Sequence, residues 1–232
     1  MKKEELISKL NKRGLCLTDT QINQLDAYAA FLKEYNEKIN LTAISEYEDV
    51  LDRHFYDSLL LGFHCELKGS LVDVGTGAGF PGVVLKICYP ELKVILVEPL
   101  KKRCVFLNEL IDKLKLKDIE VINARGEDFS LGNREKFEYV TARAVSNLNV
   151  LIEVCGALVK KNGYFIALRG SEGFEELNKA KKAIQIMGFE QESVFEEELG
   201  DGSKRVIAYL KKTNASSPKY PRKYSIIKQK PL

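Results

Sequence analysis

The sequence lacks the features that several classes of protein require. It holds two histidines, His54 and His64, and five scattered cysteines with no C-x-x-C spacing, so we expect neither a zinc site nor a redox dithiol. No run approaches the ~18 apolar residues of a membrane span, and the start, MKKEE, lacks the apolar stretch of a signal peptide. These absences predict a cytoplasmic protein with reduced thiols, no metal and no membrane partner.

Acidic residues are missing from the C-terminal tail. Residues 213–232 carry five Lys or Arg and no Asp or Glu, although the net charge of the whole chain is only +3. Such a local basic segment is typical of an arm that binds a polyanion, and its tyrosines could stack on bases. The candidate RNA contacts are Lys219, Tyr220, Arg222, Lys223, Tyr224, Lys228 and Lys230. The alternative is a frayed, solvated terminus.

The hydrophobic pattern divides the rest of the chain into two parts. Residues 1–66 predict an N-terminal helical cap, with a helix after Thr18 and a second one over about 46–64. From Ser70, strands and helices alternate, which predicts a parallel, doubly wound α/β sheet in a domain of residues 67–212.

The strands of this sheet are expected at 70–74, 93–97, 119–123, 137–141 and 163–168, with helices at 81–89, 101–115, 147–160 and 172–187. Two more strand candidates, 188–195 and 205–210, are joined by a short Gly/Asp/Ser connection, whose length permits a hairpin but no crossover. The predicted sheet is therefore mostly parallel and ends in one antiparallel hairpin.

A glycine-rich turn follows the first strand, in the segment LVDVGTGAGFPG at 71–82. Glycines between a strand and a helix let the chain approach a ligand closely. Three of them fit the dinucleotide pattern G-x-G-x-x-G, but the carboxylate of Asp73 would repel a pyrophosphate. It suits S-adenosylmethionine, which has no phosphate and carries a cationic sulfonium. We assign Asp73, Gly75, Gly77 and Gly79 to a cofactor site; the alternative is a tight turn without a ligand.

Two further strand ends fit a nucleoside site. Glu98 ends the second strand, roughly 20 residues beyond the glycines, where a carboxylate can accept both ribose hydroxyls. Gly126 and Glu127 follow the third strand and should line the adenine pocket, because ligands in doubly wound folds lie outside the carboxyl ends of the strands. A surface carboxylate and a plain surface turn are the alternatives at these positions.

The segment after the fourth strand lacks two motifs of base-modifying enzymes. It has no Asx- or Ser-Pro-Pro-aromatic turn, as used for exocyclic amino groups, and no Cys beside a Pro, as used for pyrimidine C5. The remaining chemistries include a ring nitrogen such as guanine N7, which has a lone pair and no proton to remove. Catalysis there depends on orientation and water exclusion.

Arg143 follows the predicted fourth strand, and Arg169 comes at the end of the fifth. At those positions a guanidinium can bind the cofactor carboxylate or an RNA phosphate, so we expect both to position ligands without acting as a general base. Alternatively, Arg143 forms a salt bridge over the sheet edge, for example with Glu138, and the same two interpretations apply to Arg169. His54 and Asp57 either face the cleft or stabilise the junction between cap and sheet.

Together these residues resemble the bacterial glucose-inhibited division protein B family, the guanine-N7 methyltransferases of small-subunit ribosomal RNA. The matching motifs are Asn40-Leu-Thr, His54-x-x-Asp57-Ser58, Asp73-Val-Gly-Thr-Gly-Ala-Gly-Phe-Pro-Gly82, Arg143-Ala144 and the Tyr220-Pro-Arg-Lys tail that ends in Lys-x-Pro-Leu. The resemblance runs from about residue 40 to the end of the chain. Arg169 departs from it, since the family usually has Lys before this Gly.

The resemblance implies a Rossmann-like class I methyltransferase fold, S-adenosylmethionine as methyl donor and 16S rRNA, free or in an assembling 30S particle, as substrate. By motif, it places cofactor contacts at Gly75, Phe80, Gly126, Glu127 and Arg143, with Glu98 on the ribose. We expect a monomer. Two other interpretations remain: a non-catalytic RNA-binding or regulatory protein with a retained nucleoside pocket, and a nicotinamide-dependent oxidoreductase.

Overall fold

Seven strands form one sheet, in the order β3-β2-β1-β4-β5-β7-β6, within the described residues, 1–143 and 146–232, of this computed structural model. The five strands β1 to β5 pair in parallel, whereas β7 is antiparallel to both β5 and β6. The predicted α/β sheet with a terminal antiparallel hairpin is confirmed. The strands are β1 Ser70–Val74, β2 Lys93–Val97, β3 Ile119–Ile122, β4 Phe137–Arg143, β5 Val159–Arg169, β6 Phe189–Glu198 and β7 Lys204–Lys212.

Helices cover both faces of this sheet, as alternation along the chain predicts. They are α1 Lys3–Lys12, α2 Asp19–Asn36, α3 Tyr47–Val50, α4 Asp57–Leu59, α5 Gly82–Cys88, α6 Lys101–Leu114, α7 Gly126–Gly132, α8 Leu148–Gly156, α9 Gly173–Ile186 and α10 Tyr224–Gln229. A capping box formed by Thr18 and Gln21 starts α2. The helix predicted over 147–160 ends at Gly156, and β5 begins three residues later. No described helix is long and apolar enough to cross a membrane.

The prediction of a single helix over 46–64 is wrong in detail. Between α3 and α4 the chain forms a wide π-helical turn, Leu51–Tyr56, and after α4 a 3₁₀ turn, Leu60–Gly62. Asp52 in the wide turn accepts hydrogen bonds from the backbone N–H groups of Gly200 and Asp201, at 2.8 and 3.0 Å. Helix geometry is adjusted here to contacts with the β6–β7 hairpin, which an isolated helical pattern does not reveal.

Of the hydrogen bonds that join the 52–61 segment to the hairpin, four link residues 148 positions apart in the chain. They connect Asp52 to Gly200, Arg53 to Asp201, Asp57 to Arg205 and Leu61 to Tyr209. The helical cap therefore packs along the last two strands, and its apolar side chains share one core cluster with one face of the sheet.

The C-terminal tail packs against the opposite face. Ile227 of α10 is fully buried in the second core cluster, and Tyr220 is 7% exposed. Lys212 is also buried and donates to the carbonyl oxygens of Gly156 and Met187, at 2.9 and 2.6 Å, and to Ser216 Oγ. The lysine thus joins the ends of α8 and α9 to the start of the tail.

Candidate active site

The turn between β1 and α5 has the conformation that its glycines predict. Gly75, Gly77 and Gly79 have φ angles of +72°, +63° and +100°, in the left-handed region that favours glycine. Gly75 and Gly77 line a cavity of about 540 Å³, which we call the main cavity. Gly79 does not line the main cavity. A Cβ at this position would lie 2.7 Å from Tyr28 Oη, so the missing side chain allows Tyr28 of the helical cap to pack against the turn.

Asp73 lies beneath this turn and does not line the main cavity. Its Oδ2 accepts hydrogen bonds from Gly82 N at 2.9 Å and Thr76 Oγ1 at 2.7 Å, so the carboxylate holds both ends of the turn. Burial raises the pKa of Asp73 to about 6. Its Oδ1 is buried without a hydrogen-bond partner among the described residues. The carboxylate therefore affects the cavity through the turn that it holds, and not by direct contact.

Glu98, immediately after β2, lines the main cavity as predicted. Its Oε2 accepts from Gly77 N at 3.0 Å and its Oε1 from Leu100 N at 2.9 Å. An ionised carboxylate has about four acceptor positions, so two are still open to hydroxyl groups. A Cβ built on Gly77 would meet only Arg103 Nη1, at 3.9 Å, which leaves space over the turn. This arrangement fits a ribose.

A second, apolar pocket of about 150 Å³ adjoins the main cavity, with which it shares Gly75 and Pro99. We call it the small pocket. Gly126 and Glu127 line it, as predicted, and its apolar walls include Val74 of β1 and Leu151 of α8. Gly126 is required for packing, because a Cβ there would lie 2.6 Å from Val74 Cγ1. The size and the apolar lining of the small pocket fit a purine ring.

Arg143 lies in the cleft at the end of β4. It donates to Asp57 Oδ2 through Nη1 and to His54 Nδ1 through Nη2, both at 3.0 Å, and its guanidinium carbon lies 5.1 Å from the centre of the Phe80 ring. The alternative partner, Glu138, instead bonds Lys160 and Ser70. Arg143 and His54 line the main cavity and also a second cavity beside it, which is described below. These two side chains therefore separate the two cavities.

The hydrogen bonds of His54 define its tautomer. A guanidinium can only donate, so Nδ1 accepts from Arg143, and the proton on Nε2 points to Thr42 Oγ1 at 2.9 Å. Burial and then the charge of Arg143 lower the pKa of His54 to about 3. The imidazole also stacks on Phe80, with 4.2 Å between ring centres. Both interpretations of His54 and Asp57 therefore hold: they face the cleft, and they join the cap to the sheet.

Four arginines line the cavity beyond Arg143, which has a volume of about 400 Å³ and which we call the arginine cavity. They are Arg53, Arg143, Arg169 and Arg205. Arg205 Nε donates to Asp57 Oδ1 at 2.7 Å, so Asp57 bridges two guanidinium groups. Arg169 donates to the carbonyl oxygen of Ser146 and contacts Glu176, whereas its Nε and Nη1 are buried without a partner among the described residues. The cavity is suited to an anion.

Sequence reasoning missed Arg53 and Arg205. Arg205 could have been found from the predicted hairpin: β7 is antiparallel, so its first residues lie at the edge where the parallel strands end. The position of Arg53 depends on the wide helical turn, and no sequence pattern indicates that turn. Among the described residues, no cluster of His, Cys, Asp and Glu is arranged to hold a metal ion.

The candidate RNA contacts of the tail fall into two groups. Lys219, Lys223, Lys228 and Lys230 are exposed. Tyr220 is buried, and Arg222 donates to the buried Glu153 of α8 through Nε and Nη2, at 2.8 and 2.6 Å. Both residues anchor the tail in this arrangement, and 24% of the Arg222 side chain is exposed. Tyr224 lines the small pocket.

The motifs match a known family. A family model described as rRNA small subunit methyltransferase G matches residues 21–206. Curated proteins of that name are similar over the whole length: one from Bacillus velezensis is 43% identical over 99% of this chain and 98% of its own, and one from Lactobacillus helveticus is 44% identical over 100% of both chains. Ala144 of the Arg143-Ala144 motif lies outside the described residues.

Solved structures agree on the fold. A SAM dependent methyltransferase from Aquifex aeolicus matches with a TM-score of 0.54 at 18% identity, over 77% of this chain and 98% of that one. A mutant form of a 16S rRNA (adenine(1408)-N(1))-methyltransferase from Catenulisporales acidiphilia matches with a TM-score of 0.51 at 14% identity, over 66% of this chain and 86% of that one. The Rossmann-like methyltransferase fold is confirmed.

Proposed function

This chain belongs to the rRNA small subunit methyltransferase G family, and we propose on that premise that it methylates N7 of a guanine in 16S ribosomal RNA. The methyl donor is S-adenosylmethionine, which supplies an activated methyl group on a sulfonium when bound. The single observation that carries the proposal is the position of Arg143, which separates a nucleoside-shaped cleft from a cavity lined by arginines. Because the substrate is ribosomal RNA, we propose that the chain acts in the cytoplasm.

The cofactor fits the main cavity and the small pocket together. Glu98 would accept the ribose hydroxyls, Gly126 and Glu127 would border the adenine, and Gly75, Gly77 and Phe80 would lie along the methionine portion. Arg143 has five N–H donors, and the described residues use three of them, for Asp57, His54 and the carbonyl oxygen of Arg53. The remaining donors can bind the carboxylate of the cofactor.

No general base is required for this reaction. Guanine N7 has an in-plane lone pair and no proton to lose, so the protein has to orient the base and exclude water. His54 agrees with this requirement: it is neutral, and both of its ring nitrogens are engaged. We assign it a positioning role, in which it holds the Arg143 guanidinium between the two cavities.

The arginine cavity is proposed to bind an RNA phosphate next to the target guanine. Arg169 and Arg205 supply charge there, and a fork of N–H donors suits a phosphate. Neither arginine is proposed to grasp the guanine through O6 and N7, since such a contact would cover the reacting atom. The exposed lysines of the tail would add phosphate contacts at a distance from the cleft. We propose that the chain works as a monomer, on free 16S rRNA or on an assembling 30S particle.

The test is a methylation assay with purified chain, labelled S-adenosylmethionine, and either 16S rRNA or 30S particles from cells that lack this gene. We expect 7-methylguanosine by mass spectrometry of the RNA nucleosides. Arg143→Met should abolish or strongly reduce it. Arg13→Met is the matched control, because Arg13 also pairs with an acid, Glu197, but lies outside both cavities. Failure of the unaltered protein to form 7-methylguanosine on either RNA form would contradict the proposal.

A further inference from the structure

The C-terminal tail reaches the small pocket through one side chain. Tyr224, the first residue of α10, lines the pocket together with Gly75, Pro99, Gly126 and Glu127. Those four residues come from the segments that directly follow β1, β2 and β3, including the start of α7. Tyr224 comes from a segment far along the chain, after the last strand. The small pocket is thus incomplete without the tail.

Several contacts fix Tyr224 in this place. Two residues before it, Arg222 is held by the fully buried Glu153 through its backbone N–H, Nε and Nη2. Three residues after it, Ile227 is buried in the core. Arg134 donates to the carbonyl oxygen of Tyr220 and, at 2.9 Å, to that of Ser216. The anchors flank Tyr224 on both sides, so its ring is presented to the pocket by a docked segment.

The helix that anchors the tail also lines the pocket. Val150, Leu151 and Val154 of α8 form part of the pocket wall, and Glu153 of the same helix holds Arg222. Glu153 is the one charged residue in the α8 sequence LNVLIEVCG, and a buried carboxylate requires a partner. Docking of the tail and formation of the pocket therefore depend on the same helix.

We propose that Tyr224 is a cofactor-binding residue, whose ring forms the outer wall of the adenine site, so that the docked tail contributes directly to the affinity for S-adenosylmethionine. This inference rests on the proposed function, which assigns the small pocket to adenine. It replaces the interpretation of Tyr224 as a platform for RNA bases. Stacking between an aromatic ring and a base has a substantial energy, and Tyr supplies it with few rotatable bonds.

Fluorescence offers a direct test, because the chain contains no tryptophan. Tyr224→Trp introduces one reporter at the small pocket, and Ile226→Trp introduces one on the same helix at a position that is 46% exposed. Addition of S-adenosylhomocysteine should quench the emission of the Tyr224→Trp protein and leave that of the Ile226→Trp protein unchanged. Quenching of Tyr224→Trp by RNA and not by the nucleoside would overturn the inference.

Calorimetry supplies an independent measurement. Tyr224→Ala should weaken binding of S-adenosylmethionine about tenfold, within the range for loss of a stacked base, and Tyr224→Phe should stay within about twofold of the unaltered protein, because it keeps the ring. Melting temperatures of both variants show whether the fold is intact. A Tyr224→Ala protein that binds as tightly as the unaltered chain would contradict the inference. No binding by the unaltered chain would contradict the proposed function instead.

Discussion

Arg143 and His54 share a hydrogen bond of 3.0 Å in which the guanidinium donates to Nδ1 of the imidazole. Because arginine cannot accept, this contact keeps the histidine neutral and directs its other nitrogen to Thr42. The Asn40-Leu-Thr42 and His54-x-x-Asp57 motifs, separate in the sequence, thus support one guanidinium.

Glu98→Ala should weaken S-adenosylmethionine binding by about 1.5–3 kcal/mol, the usual range for hydrogen bonds to a charged group. The carboxylate lines the main cavity and also accepts from Gly77 N and Leu100 N, so part of the loss reflects the turn. Calorimetry gives the affinity. Glu109→Ala, on the exposed side of α6, is the control. Affinity equal to that of the unaltered protein would refute the ribose assignment.

Asp57→Asn should lower the free energy of unfolding by about 3–5 kcal/mol, the range for breaking a buried ion pair. The substitution leaves Arg143 and Arg205 facing each other without the anion between them. Urea unfolding measures the loss. Glu46→Gln removes the exposed pair with Lys33 and should change the stability by less than about 1 kcal/mol. Equal effects of the two substitutions would show that the cluster around Asp57 does not hold the cap to the sheet.

His54 should make the protein less stable in mild acid. Its pKa is lowered from 6.5 to about 3 in the folded chain, so between these values the unfolded chain binds a proton that the folded chain does not. Stability then falls as pH decreases through that window, by at most about 1.4 kcal/mol per pH unit. His54→Gln should remove this contribution. Its size is the difference between the free energies of unfolding of the unaltered protein and the variant, measured at a series of pH values.

Asp73 should have the opposite effect on the pH dependence of the free energy of unfolding. Its pKa is raised from 3.8 to about 6, so its component is present at low pH and is lost as pH rises through about 6. Asp73→Asn should therefore leave a steeper loss of stability toward acid than the unaltered protein has. If His54→Gln and Asp73→Asn shift the pH profile in the same direction, the assigned burial of at least one group is wrong.

Replacing Lys219, Lys223, Lys228 and Lys230 by Gln should flatten the salt dependence of RNA binding. Each phosphate contact contributes about −0.7 for single strands or −0.9 for duplex to the slope of log K against log salt. We expect two or three contacts and a change of about 1.5–2.5. Unlike a deletion, the substitutions preserve the buried anchors Tyr220, Arg222 and Ile227, so cofactor affinity should not change. An unaltered slope would show that these lysines do not touch phosphate.

The parts of the fold that depend on local pattern could be predicted from the sequence. The bounds of β1 and β2 agree with the prediction, since each is an apolar run closed by a turn. The wide helical turn before Asp57 could not be predicted, because its cause is a contact with the hairpin 148 residues away. The position of Arg143 after a strand predicted a place in the cleft, and the residue lines both cavities.

The tail shows a different limit. Its charge predicted an arm that binds a polyanion, but Arg222 is held by Glu153 of α8 and Tyr220 by Arg134, in the turn after α7. One signal was present: Glu153 is a single acid within an apolar helix, and such a residue needs a buried partner. The helix pattern indicated that a cation was required without indicating which one.

The bonds between residues 52–61 and the β6–β7 hairpin also have a consequence for biosynthesis. A chain emerges from the ribosome N-terminus first, so the cap exists long before Arg205 and Tyr209 are made. Asp57 then has neither Arg143 nor Arg205 beside it, and the small pocket lacks Tyr224 until the final residues appear. A protein that acts on ribosomal RNA would thus complete its proposed cofactor site only after the segment around Tyr224 has left the ribosome that made it.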